Sequence, residues 1–211
     1  MKLLTFCFLL VGITSCAQQN KSDTGKDKKV GGNCECCEGI YEQAPDFNSL
    51  NETDTLPGFN TSQHKMLVYG TIYKSDGKTP AAGVILYIYH TDQNGYYTSE
   101  PGQTGCAKRH GKHRGWIKTN SRGEYRFYTE RPAAYPNNKI PAHIHPIIKE
   151  PGLTDYYIDE YLFDDDPFLT TEERSHAENR GGNGIVKLSK DPTGILLCKR
   201  DIILGKNIPG Y

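Results

Sequence analysis

The stretch that decides the fold runs MLVYGTIYK (66–74), SDGKTPAAG (75–83), VILYIYHTD (84–92), QNG (93–95) and YYTSE (96–100). Its period is that of strands. The run from Val84 to Tyr89 is rich in β-branched and aromatic residues, which suit a pleated, half-buried surface. Ser75-Asp-Gly, Asn94-Gly and, further on, Ser121-Arg-Gly are turn signals, because glycine supplies positive φ and Asp, Asn and Ser fold back on their own backbone. Short strands with turns at this spacing are the pattern of sandwiches and barrels.

Working outward, GWIKTNSRGEYRFYTE (115–130) predicts a hairpin whose strands, Trp116 onward and Tyr125 onward, flank a turn at Asn120 to Gly123. Nothing before Pro151 reads as helix. Thr170 to Arg180 predicts a short helix with a threonine cap and Glu172 and Glu173 in its first turn, where carboxylates meet the positive end of the helix dipole. Strand-like runs return at 184–188 and 193–204 around a Lys190-Asp-Pro turn. The expected fold is all-β: a β-sandwich of prealbumin-like or immunoglobulin-like topology, with long active-site loops and little helix.

The first residues, MKLLTFCFLLVGITSC, place a lysine before an apolar stretch (Leu3 to Ile13) too short to span a bilayer as a mature helix, as in a signal segment. Ile13-Thr-Ser-Cys16 resembles the lipobox of bacterial lipoproteins, which implies that Cys16 becomes the acylated N-terminus. The expected organisation is a signal peptide (1–15), a polar tether with a cysteine cluster (16–40) and one sandwich domain (41–211). It implies an exported lipoprotein, anchored to the outer membrane through its lipid only. Twenty-five basic and 25 acidic residues balance to zero, so neither nucleic acid nor a basic membrane patch is indicated.

Beyond Cys16 the chain carries Cys34, Cys36, Cys37, Cys106 and Cys198. An oxidising compartment favours disulfides, and an odd number leaves at least one thiol free or paired between chains. The C-E-C-C run does not have the two to four intervening residues that paired zinc cysteines prefer.

Chemistry concentrates in Pro141-Ala-His143-Ile-His145-Pro. Two histidines two apart on a strand put both imidazoles on one face, where they can chelate. Upstream stand Tyr135, in Arg131-Pro-Ala-Ala-Tyr-Pro136, and a second tyrosine after the turn at 92–95. Tyrosinate is a hard anionic donor whose ordinary pKa near ~10 demands a strong cation, and ferric iron supplies one better than zinc, which favours nitrogen and sulfur. Two phenolates and two neutral imidazoles leave Fe(3+) one formal positive charge with which to draw an anionic substrate.

These elements in this order resemble the intradiol ring-cleavage dioxygenases: Tyr89-His90, Gly95-Tyr96-Tyr97, Gly115 to Tyr125, Pro132-Ala-Ala-Tyr135-Pro and Pro141-Ala-His143-Ile-His145. The resemblance runs from about Val68 to Asp201. It implies that Tyr97, Tyr135, His143 and His145 hold non-haem iron. Tyr96 rivals Tyr97; the family spaces one residue between glycine and ligand, which favours Tyr97. The family chemistry implied is cleavage of a catechol-type small molecule by O2 between its hydroxylated carbons to a muconate-type diacid, with Tyr135 released as the base. Where the family carries arginine before the Pro-Ala-His motif this chain has Ile140, and loss of such a charge partner costs roughly 2.7–4 kcal/mol of barrier unless another group replaces it; Arg114 and Arg131 are the candidates. The basic loop 102–113 either favours an acidic substituent or is plain solvated surface. Two alternatives are a transthyretin-like or Ig-like binding lipoprotein without catalysis, which leaves Tyr135 and the histidine pair without purpose, and a zinc or copper enzyme, which leaves the tyrosines idle.

Overall fold

The computed structural model describes residues 27–211; the signal segment and Cys16 lie outside them. The strands are β1 (Thr53–Thr55), β2 (Lys65–Tyr73), β3 (Ile85–His90), β4 (Arg114–Lys118), β5 (Glu124–Glu130), β6 (His143–Lys149), β7 (Tyr156–Tyr157), β8 (Tyr161–Phe163), β9 (Ile185–Val186), β10 (Leu188–Lys190), β11 (Leu196–Lys199) and β12 (Ile202–Ile203). They form two sheets, in the orders β1-β5-β2-β11-β10 and β4-β3-β6-β8-β9, with β12 beside β2 and β7 beside β6. The all-β sandwich expected from the sequence is the fold found.

Strand alternation explains how the layers meet. On β3 and β6, Leu86, Ile88, Ile144 and Ile148 point inward against Met66, Val68, Ile72 and Phe127 of the other sheet, and all are fully buried. Each such side chain is worth about 1.5–3 kcal/mol when removed from water. The alternate residues Ile85, Tyr87 and Ile147 point outward, where Cys37 and Ile40 of the N-terminal segment cover them as a second, smaller core.

That cover corrects the expected tether, because the chain is already packed well before residue 40. Lys28 bridges to Leu153, the Val30 N–H donates to Thr154 Oγ1 at 3.0 Å, and Ile40 is fully buried. Cys36 bonds Cys106 and Cys34 bonds Cys37, which leaves Cys198 as the free thiol among the described residues, buried on β11 beside Val68 of β2.

Two other expectations fail for physical reasons. The hairpin at 115–130 has its turn, with Asn120 Oδ1 accepting from the N–H groups of Arg122 and Glu124, but its strands belong to different sheets. Thr119 donates to Ala81 O and accepts from Val84 N–H, which ties the end of β4 to the entry of β3. The chain therefore arches over, so that Ile117 and Phe127 face the same core from opposite layers. A helix, α1 (Gly105–His110), also lies in the region expected to hold none. It is too short to show an apolar period, and tertiary contacts hold it: the Cys36–Cys106 disulfide and the Ala107 N–H donating to Glu42 Oε2 at 2.6 Å. The helix expected at 170–180 is present in shorter form as α2 (Thr171–Ser175), with Thr170 Oγ1 accepting from the Glu173 N–H.

Candidate metal centre

β6 carries His143 and His145 on its outer face while Ile144, between them, enters the core. Its neighbours set their surroundings: Tyr89 of β3 lies opposite His145, and Leu162 of β8 lies opposite His143. Tyr97 comes from the loop after β3. There Asp92 Oδ1 accepts from the N–H groups of Asn94 and Tyr96, and Gly95 takes φ 81°. A Cβ on Gly95 would stand 2.1 Å from Ala134 O, so only glycine lets this turn press against the loop that carries Tyr135. Thr91 Oγ1 donates to Ala133 O and the Ala133 N–H donates to Asp92 O, which closes the two loops on each other.

The four candidate ligands converge. Tyr97 Oη lies 2.9 Å from Tyr135 Oη, Tyr135 Oη 3.3 Å from His143 Nε2, His143 Nε2 3.0 Å from His145 Nε2, and His145 Nε2 2.9 Å from Tyr97 Oη. The contacts behind the rings fix what these atoms present. His143 Nδ1 sits 2.7 Å from Pro141 O, an acceptor only, so that nitrogen bears the hydrogen. His145 Nδ1 faces Glu160 Oε1 at 3.5 Å. Both Nε2 atoms therefore present lone pairs, and they present them to each other. Burial, opposed only in part by its bond to Pro141 O, holds the His143 imidazole neutral, with its pKa brought down to about 4. Burial, and then the Tyr135 hydroxyl, raise the Tyr97 phenol. Burial works against the Glu160 charge, but the His145 ring more than offsets it and brings that carboxyl down to about 2.

Two lone pairs and two phenol oxygens within about 3 Å of one another are a poor hydrogen-bonding set, since two phenolic protons must serve four acceptors. They are a good cation set. The spacing is what an ion with bonds of about 2 Å to each atom spans, and the mixture of hard oxygen and imidazole nitrogen suits a first-row metal. The residues present thus fit a non-haem iron.

Of the rival tyrosines, Tyr97 enters the ring of donors and Tyr96 points away, 54% exposed. Sequence reasoning passed over three residues here. Tyr89 stacks on His145 with centroids 4.6 Å apart, His110 of α1 stacks on Tyr89 at 3.7 Å, and Glu160 backs His145. Tyr89 had a signal, since the outer face of β3 must meet the outer face of β6. His110 had none, because only the disulfide-held α1 brings it there.

A cavity of about 450 Å³ opens beside the donors, with Tyr135 and His143 in its wall and Ile140, Pro141, Leu162 and Ile185 giving it an apolar side. Tyr97 does not line it. Neither arginine named as a substitute for the family cation reaches it: Arg131 forms a two-bonded pair with Asp165, and Arg114 donates to Glu42 O and lies over Trp116. The basic loop 102–113 contributes nothing to the lining.

Comparison with known proteins places this site in context. A family model described as Dioxygenase matches residues 42–181. Catechol 1,2-dioxygenase 1 of Acinetobacter lwoffii is 28% identical over 144 residues, covering 57% of this chain and 45% of that protein. Catechol 1,2-dioxygenase of Acinetobacter baylyi is 29% identical over 137 residues, covering 54% and 43%. The chain thus spans less than half the length of both curated relatives. Among solved structures, the dioxygenase domain of a dioxygenase carbohydrate-binding protein fusion from Streptomyces sp. SirexAA-E superposes with a TM-score of 0.56 at 20% identity, over 73% of this chain and 89% of that one, a likeness of fold. With the family match extending from the segment before β1 to the end of the β8–β9 connection, across the whole ring of donors, the chain belongs to the intradiol dioxygenase family.

Proposed function

We propose that this protein is an exported, lipid-anchored dioxygenase that uses non-haem ferric iron and O2 to cleave a catechol-type substrate between its two hydroxylated carbons. The observation that carries the proposal is the ring of donor atoms from Tyr97, Tyr135, His143 and His145, with the Nε2 lone pairs of both histidines turned inward. Family membership and the two catechol 1,2-dioxygenases it resembles support the reaction class.

When bound, ferric iron supplies Lewis acidity toward the catechol oxygens. The chain supplies the rest. His143 is held as a neutral donor, so it contributes a lone pair without adding charge. Of the two phenols, only that of Tyr135 lines the cavity, so with the metal bound Tyr135 would be the one placed to accept a proton from a substrate hydroxyl, while Tyr97, away from the cavity, would serve only to hold the metal. Ile140, Leu162 and Ile185 offer the apolar wall against which an aromatic ring packs and from which water is displaced. In the overall reaction both atoms of O2 enter the organic product and the carbon–carbon bond between the hydroxyls breaks to give a diacid.

The test is a visible spectrum and metal analysis of the purified protein, with oxygen uptake and product identification on simple catechols. Tyrosinate bound to ferric iron gives a red-brown colour, and ortho cleavage gives a muconate-type diacid. A colourless protein that holds stoichiometric zinc after expression in ample iron overturns the metal, and a coloured protein whose spectrum no catechol perturbs overturns the reaction. Anchoring rests on the Ile13-Thr-Ser-Cys16 motif. Cys16→Ser is expected to release the protein from the membrane fraction, and continued fatty-acid labelling of that variant would count against it.

A further inference from the structure

The charge around the cavity points to a substrate class. Among the described residues, no lysine or arginine lines it. The acidic residues Asp159, Glu160, Glu173 and Glu178 do, with His176 the one basic side chain among them besides the candidate ligand His143. The nearby cations are committed elsewhere. Arg180 is buried, lies 3.6 Å over the ring of Tyr157 and donates to Gly31 O and Tyr157 O, and Arg174 pairs with Asp164 at 2.6 Å.

The four carboxylates do not act alike. Asp159 accepts from the backbone N–H groups of Asn179 and Arg180, and burial raises its pKa, so it is a structural anchor. Glu160 faces His145. Glu173, in the first turn of α2, makes no side-chain hydrogen bond or ion pair, and Glu178 reaches only Arg180, at a loose 3.9 Å. Both belong to the segment 173–178, which forms the cavity wall together with Ile185. The site itself is defined by the donors and the cavity; the carboxylates bear on which ring substituent it accepts.

Resting on the catechol reading above, we propose that the preferred substrate is a catechol whose ring substituent carries a protonated amine, with neutral catechols next and carboxylated ones last. A carboxylate substituent would meet Glu173, which has no cation partner, and Glu178, offset only by Arg180 at 3.9 Å, and Ile140 gives it no donor. An ammonium group would find Glu173 without a partner and Glu178 held only loosely by Arg180. These carboxylates are exposed and screened, and exposed ion pairs contribute about 0.2–1 kcal/mol each. Two of them therefore bias the site on the order of tenfold between an ammonium and a carboxylate substituent.

The experiment uses three ring-matched catechols bearing 4-aminoethyl, 4-ethyl and 4-carboxymethyl groups. Anaerobic calorimetry measures their affinity for the iron-loaded protein, and oxygen uptake measures kcat/KM. The expected order in affinity is amine, then ethyl, then carboxylate, with the extremes on the order of tenfold apart and the gap narrowing in high salt. The double variant Glu173→Gln, Glu178→Gln should shrink that ratio to about threefold or less. Glu172→Gln, the same charge change on α2 away from the cavity, should leave it in place. Equal or tighter binding of the carboxylate, or a ratio that survives the double variant, overturns the proposal. Binding in the expected order without cleavage of any catechol would leave this preference standing and overturn the ring-cleavage reading instead.

Discussion

Two histidine clusters lie within a few residues of each other on the same sheet, and they are built on opposite principles. His90, at the end of β3, faces the interior: its Nδ1 meets Thr91 O at 2.7 Å, its Nε2 meets Thr129 Oγ1 at 2.6 Å, and its ring stacks on His113, whose Nε2 meets Glu130 Oε1 at 3.0 Å. Each of these nitrogens has a complementary protein partner, though His113 Nδ1 has none. His143 and His145, paired across from the end of β3 on β6, turn their Nε2 lone pairs toward each other and toward two phenols. Apart from His113 Nδ1, the rear cluster is satisfied within the protein. The front cluster lacks such partners at Nε2, and under the proposed function a bound cation would complete it and offset its cost to the fold. The difference between them is a single step of strand alternation, since His90 points in where Tyr89 points out.

The sharpest way to break this comparison is to remove one ring from each cluster. His143→Ala should lower iron affinity by roughly a thousandfold, about 4 kcal/mol, the share of one ligand in four if the site binds as tightly as structural zinc sites do, at about 10–16 kcal/mol. Competition with a coloured chelator measures it. The metal-free variant should lose only about 1 kcal/mol, the worth of the bond from Nδ1 to Pro141 O, well short of the loss expected at His90. A large loss of metal-free stability would mean that the front cluster is structural after all.

His90→Ala should do the reverse. It empties a fully buried site and leaves Thr129 Oγ1 and Thr91 O without partners, which together costs about 3 kcal/mol by the usual range for cavities and orphaned polar groups. Urea denaturation of the metal-free protein gives the number, and iron binding under native conditions should survive. If iron is lost as well, the two clusters are coupled through β3 and β6 and are not separable units.

What the sequence displayed of this arrangement was its local part. Period two placed His143 and His145 on one face and β-branched runs marked β2 and β3, because alternation is a property of the strand itself. The choice of Tyr97 over Tyr96 rested on the family resemblance, whose motif places one residue between the glycine and the ligand. Invisible were the features set by partners distant in the chain: the arch between β4 and β5, fixed by Thr119 reaching Ala81 and Val84; α1, held by a disulfide to Cys36; and Glu160 behind His145. The acidic cavity wall was hidden for the same reason, since Glu173 and Glu178 belong to a segment that reads as an ordinary capped surface helix.

Acid should sharpen the comparison further. Burial holds the imidazoles of His90 and His110 at pKa values of about 3 each, against an ordinary value near ~6.5. Both are then neutral in the folded protein while the unfolded chain takes up protons below pH ~6.5. Their contribution to stability is complete above that pH and is lost as pH falls toward about 3, by about 1.4 kcal/mol per pH unit for each histidine. Denaturation midpoints of the metal-free protein between pH 7 and 4 should show this slope, and His90→Ala should reduce it. A slope indifferent to that substitution would place the acid sensitivity elsewhere.

The smallest effect expected is the most discriminating for the site. Tyr96 and Tyr97 are adjacent and chemically identical, one and two residues beyond Gly95, so only backbone geometry separates their roles. Asp92 Oδ1 accepts the Tyr96 N–H, which fixes the turn, and the Tyr96 ring then projects outward, 54% exposed. The next residue turns the other way, and Tyr97 Oη comes within 2.9 Å of both Tyr135 Oη and His145 Nε2. Phenylalanine at 96 removes a hydroxyl that makes no hydrogen bond among the described residues and leaves the backbone bond to Asp92 intact. Tyr96→Phe should therefore change stability by less than about 0.5 kcal/mol and leave iron content and the visible band where they were. Tyr97→Phe should shift or abolish that band, since it removes one of two phenolates. If instead the 96 variant loses colour and the 97 variant keeps it, the loop has a different register on the metal, and the ring of donors would have to be redrawn around Tyr96.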